Sequence, residues 1–460
     1  MNIYPIQVLC DAMGGRLVAG SGEDLIEGGV STDTRTIPSG ALFVALAGEN
    51  FDAHEFLGKA LEAGAAGLVV NRVPEGFDPG SRPVVEVGDT LRALQRLAHW
   101  YRRQLDVVVV GITGSSGKTS TKDFAAAVLE QRYQVHATKG NLNNHIGLPL
   151  TVFSADDDDD ILILEMGMNH PGEIAPLCEI AGAHIGIITN IGTAHIEFMG
   201  SRETIAEEKS ALARSLPEVG TLVVTVGCEF ADYFKARTQA RTLAVGNGRG
   251  QVRAEGLHAT RDGSEFELVI DGSGSARVEL AMPGRHMMNN ALLAAGAGWA
   301  LGLTPDELAC GLEAARITAG RLRCFEWEGI TVFDDTYNAN PDSMRAAIDV
   351  VAEQSLENGH TRTVVLGTMG ELGRFAEEMH HEVGEHAARQ GVRVVSVGPG
   401  AEGITEGARR AGLSEVRHFD DYEEAAAWLQ DALHAGDVVL FKGSRTAAVE
   451  KIMNRVFPEN

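Results

Sequence analysis

The stretch Val107-Val108-Val109-Val110-Gly111-Ile112-Thr113-Gly114-Ser115-Ser116-Gly117-Lys118-Thr119-Ser120 restricts the possible folds more than any other. An unbroken β-branched run reads as a buried strand, glycines and small hydroxyl residues follow it, and Thr121 to Gln131 reads as a helix. A strand, a glycine loop and a helix in that order make a phosphate cradle. Backbone N–H groups from Gly114 to Ser120 turn around an anion, the helix start adds the positive end of its dipole, Lys118 brings a mobile cation, and the Thr119 hydroxyl is placed to ligate magnesium. The usual phosphate loop has four residues between its first glycine and the Gly-Lys pair. Here that first position is Ile112, so the loop is the shorter Gly114-x-x-Gly117-Lys118-Thr119.

At 460 residues the chain is long enough for about three folding units of roughly 150 residues each. The pattern divides it into 1–103, a small α/β unit; 104–317, a doubly wound parallel α/β sheet carrying the phosphate loop; and 318–460, a second Rossmann-like α/β unit. A formal charge of −25 with no visible basic patch argues against nucleic acid as a partner. No apolar run approaches the ~20 residues needed to span a bilayer, so membrane insertion is not expected. The start Met1-Asn2-Ile3-Tyr4-Pro5 lacks a basic leader, and Cys10, Cys178, Cys228, Cys310 and Cys324 show no metal or redox spacing; both point to a cytoplasmic protein. Asp156 to Asp160 reads as a solvated turn.

Ligands of open α/β sheets bind beyond the carboxyl ends of the strands. Ile161-Leu162-Ile163-Leu164 ends at Glu165, and Ile185 to Ile188 leads through Asn190-Ile191-Gly192-Thr193-Ala194 to His195, so Glu165 and His195 should open onto the crevice of Lys118 and Thr119. Carboxylate, imidazole and hydroxyl around phosphates form a credible magnesium site. Arg202 to Ser215 reads as a helix on which Glu207, Glu208 and Lys209 look, by charge alone, like a solvated face. In Pro283-Gly284-Arg285-His286-Met287-Met288-Asn289-Asn290, either Asn290 reads a purine edge or Asn289 caps a helix. Near the start, Thr34 and Arg35 either hold an anionic ligand or form a capped turn with a surface ion pair. A composition shift over Ala315 to Arg323 reads as a linker, and the loops Asp335 to Pro341, Gly367 to Gly373 and Lys442 to Arg445 follow strands of the last unit.

These motifs together resemble the Mur ligase family, the ATP-dependent amide-forming enzymes of bacterial cell-wall precursor synthesis. The shortened phosphate loop, Asn190-Ile191-Gly192-Thr193-Ala194-His195, Gly284-Arg285-His286 with Asn290-Ala291, and Asp335-Thr336-Tyr337-Asn338-Ala339-Asn340-Pro341 carry the resemblance, which runs essentially end to end. Within the family, Thr32-Asp33-Thr34-Arg35, Phe51-Asp52-Ala53-His54, Gly140-Asn141-Leu142-Asn143-Asn144 and Gly370-Glu371-Leu372-Gly373 are similar to the member that adds D-alanyl-D-alanine to UDP-N-acetylmuramoyl-tripeptide. The Asp-Asn-Pro-Arg motif expected of the ligase adding the third residue is missing.

The resemblance implies ATP and Mg2+ as cofactors, an acyl phosphate on the tripeptide carboxylate, and attack on it by the D-alanyl-D-alanine amine. It implies Thr119 and Glu165 at one magnesium, and His195 at a second with Lys209 as a carbamylated lysine. Lys118, Lys209 and His195 then form the catalytic set. Gly114, Ser115, Ser116, Gly117, Ser120, Asn290 at the adenine, Arg321 near the phosphates and Asp335 at the ribose would hold nucleotide. Thr34, Arg35, Asn141, Asn143 and Asn144 would hold the UDP-muramoyl substrate, with Tyr337, Asn338, Asn340, Lys442, Arg445 and either His380 or His381 as further substrate contacts. A monomer whose units close about Ile317 to Arg321 is expected. A folylpolyglutamate-type ligase and a nucleotide-dependent switch protein are the alternatives from the same loop; whether the tripeptide ends in diaminopimelate or lysine is left open.

Overall fold

The Val107–Val110 run becomes the strand Val108–Thr113, third from one edge of the largest sheet in a computed structural model that describes residues 1–48, 51–260, 263–357 and 359–458. In space the nine strands run Gly274–Leu280, Ser264–Ile270, Val252–Ala259, Arg241–Asn247, Thr221–Thr225, Ile185–Ile188, Val108–Thr113, Ile161–Glu165 and Val135–Ala137. Parallel register sets Glu165 opposite Ile112 and Ile188 opposite Thr113. Three carboxyl ends are therefore flush, and the residues that follow them share one crevice.

Both faces of these strands are covered, which is why Ile161-Leu162-Ile163-Leu164 is apolar throughout rather than alternating. On one face lies the helix Lys118–Leu129, whose Thr121, Phe124, Ala125, Val128 and Leu129 recur at helical spacing and are all buried. Against it packs the small-residue helix Arg285–Ala300. A Cβ on Gly298 would stand 2.6 Å from Val128 Cγ1, so only glycine permits that approach. Burying each Phe, Leu or Val here contributes about 1.5–3 kcal/mol.

The doubly wound parallel pattern gives way to antiparallel pairing at one edge. Val252–Ala259, Ser264–Ile270 and Gly274–Leu280 form an antiparallel meander. Ser264–Ile270 alternates between buried and partly exposed residues, the signature of a sheet with one solvated face, and the Asp271-Gly272-Ser273 turn has no room for a crossover helix.

Residues 16–86 supply a separate five-stranded sheet, ordered Arg16–Ala19, Val84–Glu86, Gly67–Val70, Leu42–Val44 and Val30–Ser31. Helix Thr90–Arg102, capped by the Asp89 carboxylate on the Arg92 N–H, leads to the central sheet. It brings Arg92, Arg96, His99 and Arg103 to one cleft, a local basic lining that net charge and composition do not reveal. Beyond the linker, six strands run Arg323–Trp327, Ile330–Asp335, Val438–Lys442, Arg362–Leu366, Arg393–Val397 and Val416–Phe419, parallel except for the first hairpin. Asp335 and Lys442 face each other in register at the carboxyl ends of their strands. The linker itself is pinned: Thr318 donates both its N–H and its hydroxyl to Asp123 at 2.8 and 2.9 Å.

Candidate active site

One cavity of about 940 Å³ opens where the carboxyl ends of the two larger sheets meet. Ser115 to Ser120, Asn141, Asn143, Asn144, Glu165, His195 and Asn290 line it from the central unit; Arg321, Asp335, Tyr337, Asn338, Asn340, Lys442 and Arg445 line it from beyond the linker.

The phosphate loop owes its shape to two glycines and to its neighbouring strand. Gly114 is at φ +154° and Gly117, the residue capping the following helix, at +77°. A Cβ on Gly114 would fall 1.8 Å from Thr189 Oγ1, and one on Gly117 would fall 2.6 Å from Asn290 Oδ1. Asn190 accepts the Ser115 N–H through its backbone oxygen (3.1 Å) and the Ser116 N–H through Oδ1 (3.0 Å), while its Nδ2 donates to Ser116 Oγ at 2.7 Å. Thr189 Oγ1 donates to the Ser116 carbonyl at 2.6 Å, and the Gly192 N–H donates to Ser115 Oγ at 2.9 Å. Sequence reasoning gave Thr189 and Asn190 no role; two polar residues directly after a buried strand were the available signal.

Lys118 folds back and donates from Nζ to the Gly114 carbonyl at 2.9 Å. Loss of water around it lowers its pKa, opposed by Glu165, lowered further by Arg321 and raised again by Glu371. Glu165 is 2% exposed and held on three sides: Thr119 Oγ1 donates to Oε2 (3.0 Å), Asn143 Nδ2 to Oε1 (2.8 Å), and its own N–H goes to Thr138 Oγ1 (3.0 Å). Thr119 and Glu165 fit the magnesium implied by the family. Neighbouring corners of an octahedron with ligands at 2.0–2.1 Å lie about 3 Å apart, the separation these two oxygens already have.

His195 stands at the start of the turn Ile196–Met199 with φ +61°, a left-handed conformation costly for any residue but glycine. Its Nδ1 makes an ion-pair contact with Glu371 Oε2 at 2.5 Å. The His195 ring is the chief reason that the Glu371 carboxyl is held below its ordinary range. Lys209 overturns the solvated-face expectation. It is 1% exposed in the helix Arg202–Ser215, and burial, reinforced by the charge of Lys118, pulls its pKa well below the usual lysine value. It is not among the residues that line the cavity. Glu208 is likewise engaged, accepting the N–H groups of Gly172 and Ile174 at 2.8 Å each, whereas Glu207 is exposed.

From the carboxyl-terminal side Arg321 reaches Thr119 Oγ1 at 3.3 Å, stacks 4.0 Å from the Tyr337 ring centre, and keeps a buried Nε without a partner. Asp335 accepts from Lys442 Nζ at 2.5 Å and from the Leu322 N–H at 3.2 Å. Lys442 also donates to the Asn338 carbonyl, and its burial lowers its pKa against the pull of Asp335. Asn340 caps the helix Pro341–Ala352 in a capping box with Ser343, and Asn144 Oδ1 accepts the N–H groups of Ile146 and Gly147; both keep a place in the lining. Asn290 is inside the helix Arg285–Ala300, one residue after Asn289, which is not its cap; Gly284 is. His286, unassigned from sequence, also lines the cavity, and burial pushes its pKa down to about 4.

Three expected substrate contacts are not brought to this cavity. Thr34 and Arg35 are absent from its lining, and Arg35 forks onto Asp33 as the surface ion pair weighed from sequence, drawing the Asp33 pKa down to about 2. His380 accepts the Met369 N–H at 3.0 Å and contacts the Ala376 carbonyl at 2.6 Å, so both ring nitrogens serve the backbone below the Gly370-Glu371 loop. Its neighbour His381 pairs with Glu406 at 3.2 Å.

A shortened phosphate loop, a buried threonine–carboxylate pair and a second α/β sheet closing over both are features of ATP-dependent ligases. The Mur ligase middle domain matches residues 112–298, and the Mur ligase, glutamate ligase domain matches residues 320–445. The chain belongs to the Mur ligase family and is an ATP-dependent ligase. It is 37% identical to UDP-N-acetylmuramoyl-tripeptide--D-alanyl-D-alanine ligase of Escherichia coli (strain K12), over 98% of each chain. Crystal structure I of MurF from Acinetobacter baumannii superposes with a TM-score of 0.90 at 31% identity over 100% of both chains. MurF ligase from Thermotoga maritima in complex with ADP gives 0.83 at 29% identity, over 94% of this chain and 97% of that one. The three-part Mur ligase architecture is thus the architecture of this chain.

Proposed function

We propose that this protein joins D-alanyl-D-alanine to UDP-N-acetylmuramoyl-tripeptide, consuming ATP and releasing ADP and phosphate, to make the UDP-muramoyl pentapeptide for peptidoglycan. The observation that supports it most is the single cavity in which Lys118, Glu165 and His195 of one sheet face Arg321, Asp335 and Lys442 of another. Relatives of this named activity align with nearly the whole chain.

A carboxylate does not react with an amine at neutral pH, so the tripeptide carboxylate must first become an acyl phosphate. Lys118 and Arg321 would neutralise charge on the phosphoryl group in flight, which is where most of the rate in such transfers arises. Thr119 and Glu165 would hold magnesium, which would supply positive charge against the phosphates. His195, helped by Lys209 as a carbamate, would hold a second magnesium. Carbamylation converts a buried amine into an anion, and a lysine whose pKa is drawn down by burial is more often the neutral nucleophile that CO2 requires. Ser115 to Ser120 would cradle phosphate, Asp335 the ribose and Asn290 the base. Asn141, Asn143 and Asn144 would face the muramoyl peptide, with Tyr337, Asn338, Asn340, Lys442 and Arg445 on the amine side. Thr34 and Arg35 would reach the uridine end only after Arg35 exchanges Asp33 for the ligand.

The spans 1–103, 104–317 and 318–460 would act as substrate, nucleotide and amine units of a monomer, closing about the linker; residues 459 and 460 lie outside the described structure. No helix among the described residues is long and apolar enough to cross a membrane, and the five free cysteines suit a reducing cytoplasm. A phosphate-release assay tests the reading: UDP-muramoyl tripeptide plus D-alanyl-D-alanine, folate plus glutamate, and nucleotide alone. Release with the first mixture, for either the diaminopimelate or the lysine tripeptide, is expected; release with folate or without acceptor would refute it.

A further inference from the structure

The segment that carries His195 is gripped from across the cavity by a residue with no part in the chemistry above. Asp342, in the first turn of helix Pro341–Ala352, accepts the Thr193 N–H at 2.7 Å and the Thr193 hydroxyl at 3.0 Å, both on Oδ2. Its Oδ1 accepts from Arg345 at 2.9 Å, one turn along the same helix. The seating is close: a Cβ on Gly192 would stand 2.3 Å from Oδ2. On the other side of His195, the Glu197 N–H donates to the Glu371 carbonyl at 3.2 Å, and a Cβ on Gly373 would meet Glu197 Cγ at 2.7 Å.

His195 therefore lies between two contacts made by the carboxyl-terminal unit, one at Thr193 and one at Glu197. Both His195 (φ +61°) and the Glu371 it touches (φ +59°) are left-handed. Such strain persists only where surrounding contacts over-determine it, and here those contacts come from a different sheet. Asp342 is also well placed for the helix dipole, but that role needs no second hydrogen bond to Thr193.

We propose that Asp342 is a positioning residue for the ligation: by holding Thr193 it fixes the His195 segment in working geometry only while the carboxyl-terminal unit is docked on the central sheet. The proposal rests on the ligase reading given above. It couples the two halves of the reaction. The imidazole side of the site is complete only when the unit expected to bring the amine is in place, so an activated carboxylate is not left facing water.

Full-length Thr193→Val, Asp342→Asn, Asp342→Ala and the Thr193→Val/Asp342→Ala double variant, measured beside the wild type for kcat, ATP KM and thermal unfolding, test this. Asp342→Ala should lower kcat about tenfold or more, since small misplacements of a reacting group cost up to ~100-fold, while ATP KM stays within about twofold. Asp342→Asn, which keeps one acceptor but loses the charge, should fall between, and the double variant should be no slower than Asp342→Ala because both changes remove one interaction. Asp342→Ala turnover within about twofold of wild type, or losses from Thr193→Val and Asp342→Ala that multiply, would overturn the assignment. If Asp342→Ala does not fold, Asp342→Asn and Thr193→Val decide the matter: a lower kcat at constant ATP KM supports the assignment and unchanged kcat refutes it. Failure of the wild type to ligate would instead refute the functional reading.

Discussion

Gly117→Ala isolates the geometry of the phosphate loop. Two costs arise from separate causes. Placing an L side chain at φ +77° costs about 1–2 kcal/mol, because Cβ crowds the following carbonyl. The new methyl would also lie 2.6 Å from Oδ1, 3.0 Å from Nδ2 and 3.1 Å from Cγ of Asn290, a residue only 7% exposed. Asn290 must leave its rotamer well, at about 0.5–1.5 kcal/mol. Together these come to roughly 2–3 kcal/mol, which corresponds to about 30- to 150-fold weaker nucleotide binding if the loop relaxes to escape them. Calorimetric titration with ADP reads this directly. The double variant Gly117→Ala/Asn290→Ala should recover only the collision part relative to Asn290→Ala, leaving the backbone part in place. Wild-type ADP affinity in Gly117→Ala, with an unchanged unfolding profile, would refute the reasoning.

Further outcomes follow from the buried ionisable groups. Glu165→Gln keeps an acceptor for Thr119 but loses the charge, so the magnesium concentration needed for half-maximal ligation should rise about tenfold or more, read from a metal titration of turnover. Lys209→Met should abolish ligation yet unfold no more easily at neutral pH. Because the folded lysine has a lowered pKa, the unfolded chain binds more protons below the ordinary lysine value and stability rises with pH; denaturation at several pH values should show that slope in bicarbonate-free wild type and its loss in Lys209→Met. His286, held neutral with a pKa of about 4, has the same sign at lower pH. As pH falls from about 6.5 to 4 the unfolded chain takes up a proton that the folded one refuses, costing on the order of 3 kcal/mol, and His286→Gln should flatten that part of the acid-stability curve.

Local chemistry was legible where one segment carries the whole signal. The Val107–Ser120 stretch contains its own strand, glycines and helix start; Glu165 ends an apolar strand and His195 follows the loop after another, and parallel register of those strands opens both onto the cavity that Lys118 lines. The antiparallel edge over 252–280 escaped sequence reasoning because helix–strand alternation outweighed the period-two burial of Ser264–Ile270. Lys209 after two glutamates looks solvated in one dimension, and only packing of its helix buries it. His380, Thr34 and Arg35 were expected at the substrate from the family resemblance. The structure shows His380 bonded to backbone and Arg35 paired with Asp33, partners that spacing does not single out. Asp342 and Glu371 act across the cavity on residues far away in sequence, which no local pattern encodes.

The measurement closest to the central claim is phosphate release and pentapeptide formation by wild type and Lys118→Ala with ATP, UDP-muramoyl tripeptide and D-alanyl-D-alanine. Wild type should release about one phosphate per amide formed, and Lys118→Ala should fall by about 100- to 1000-fold or more with its fold intact. Turnover in Lys118→Ala comparable with wild type, or phosphate release that does not depend on the two acceptor substrates, would contradict the account.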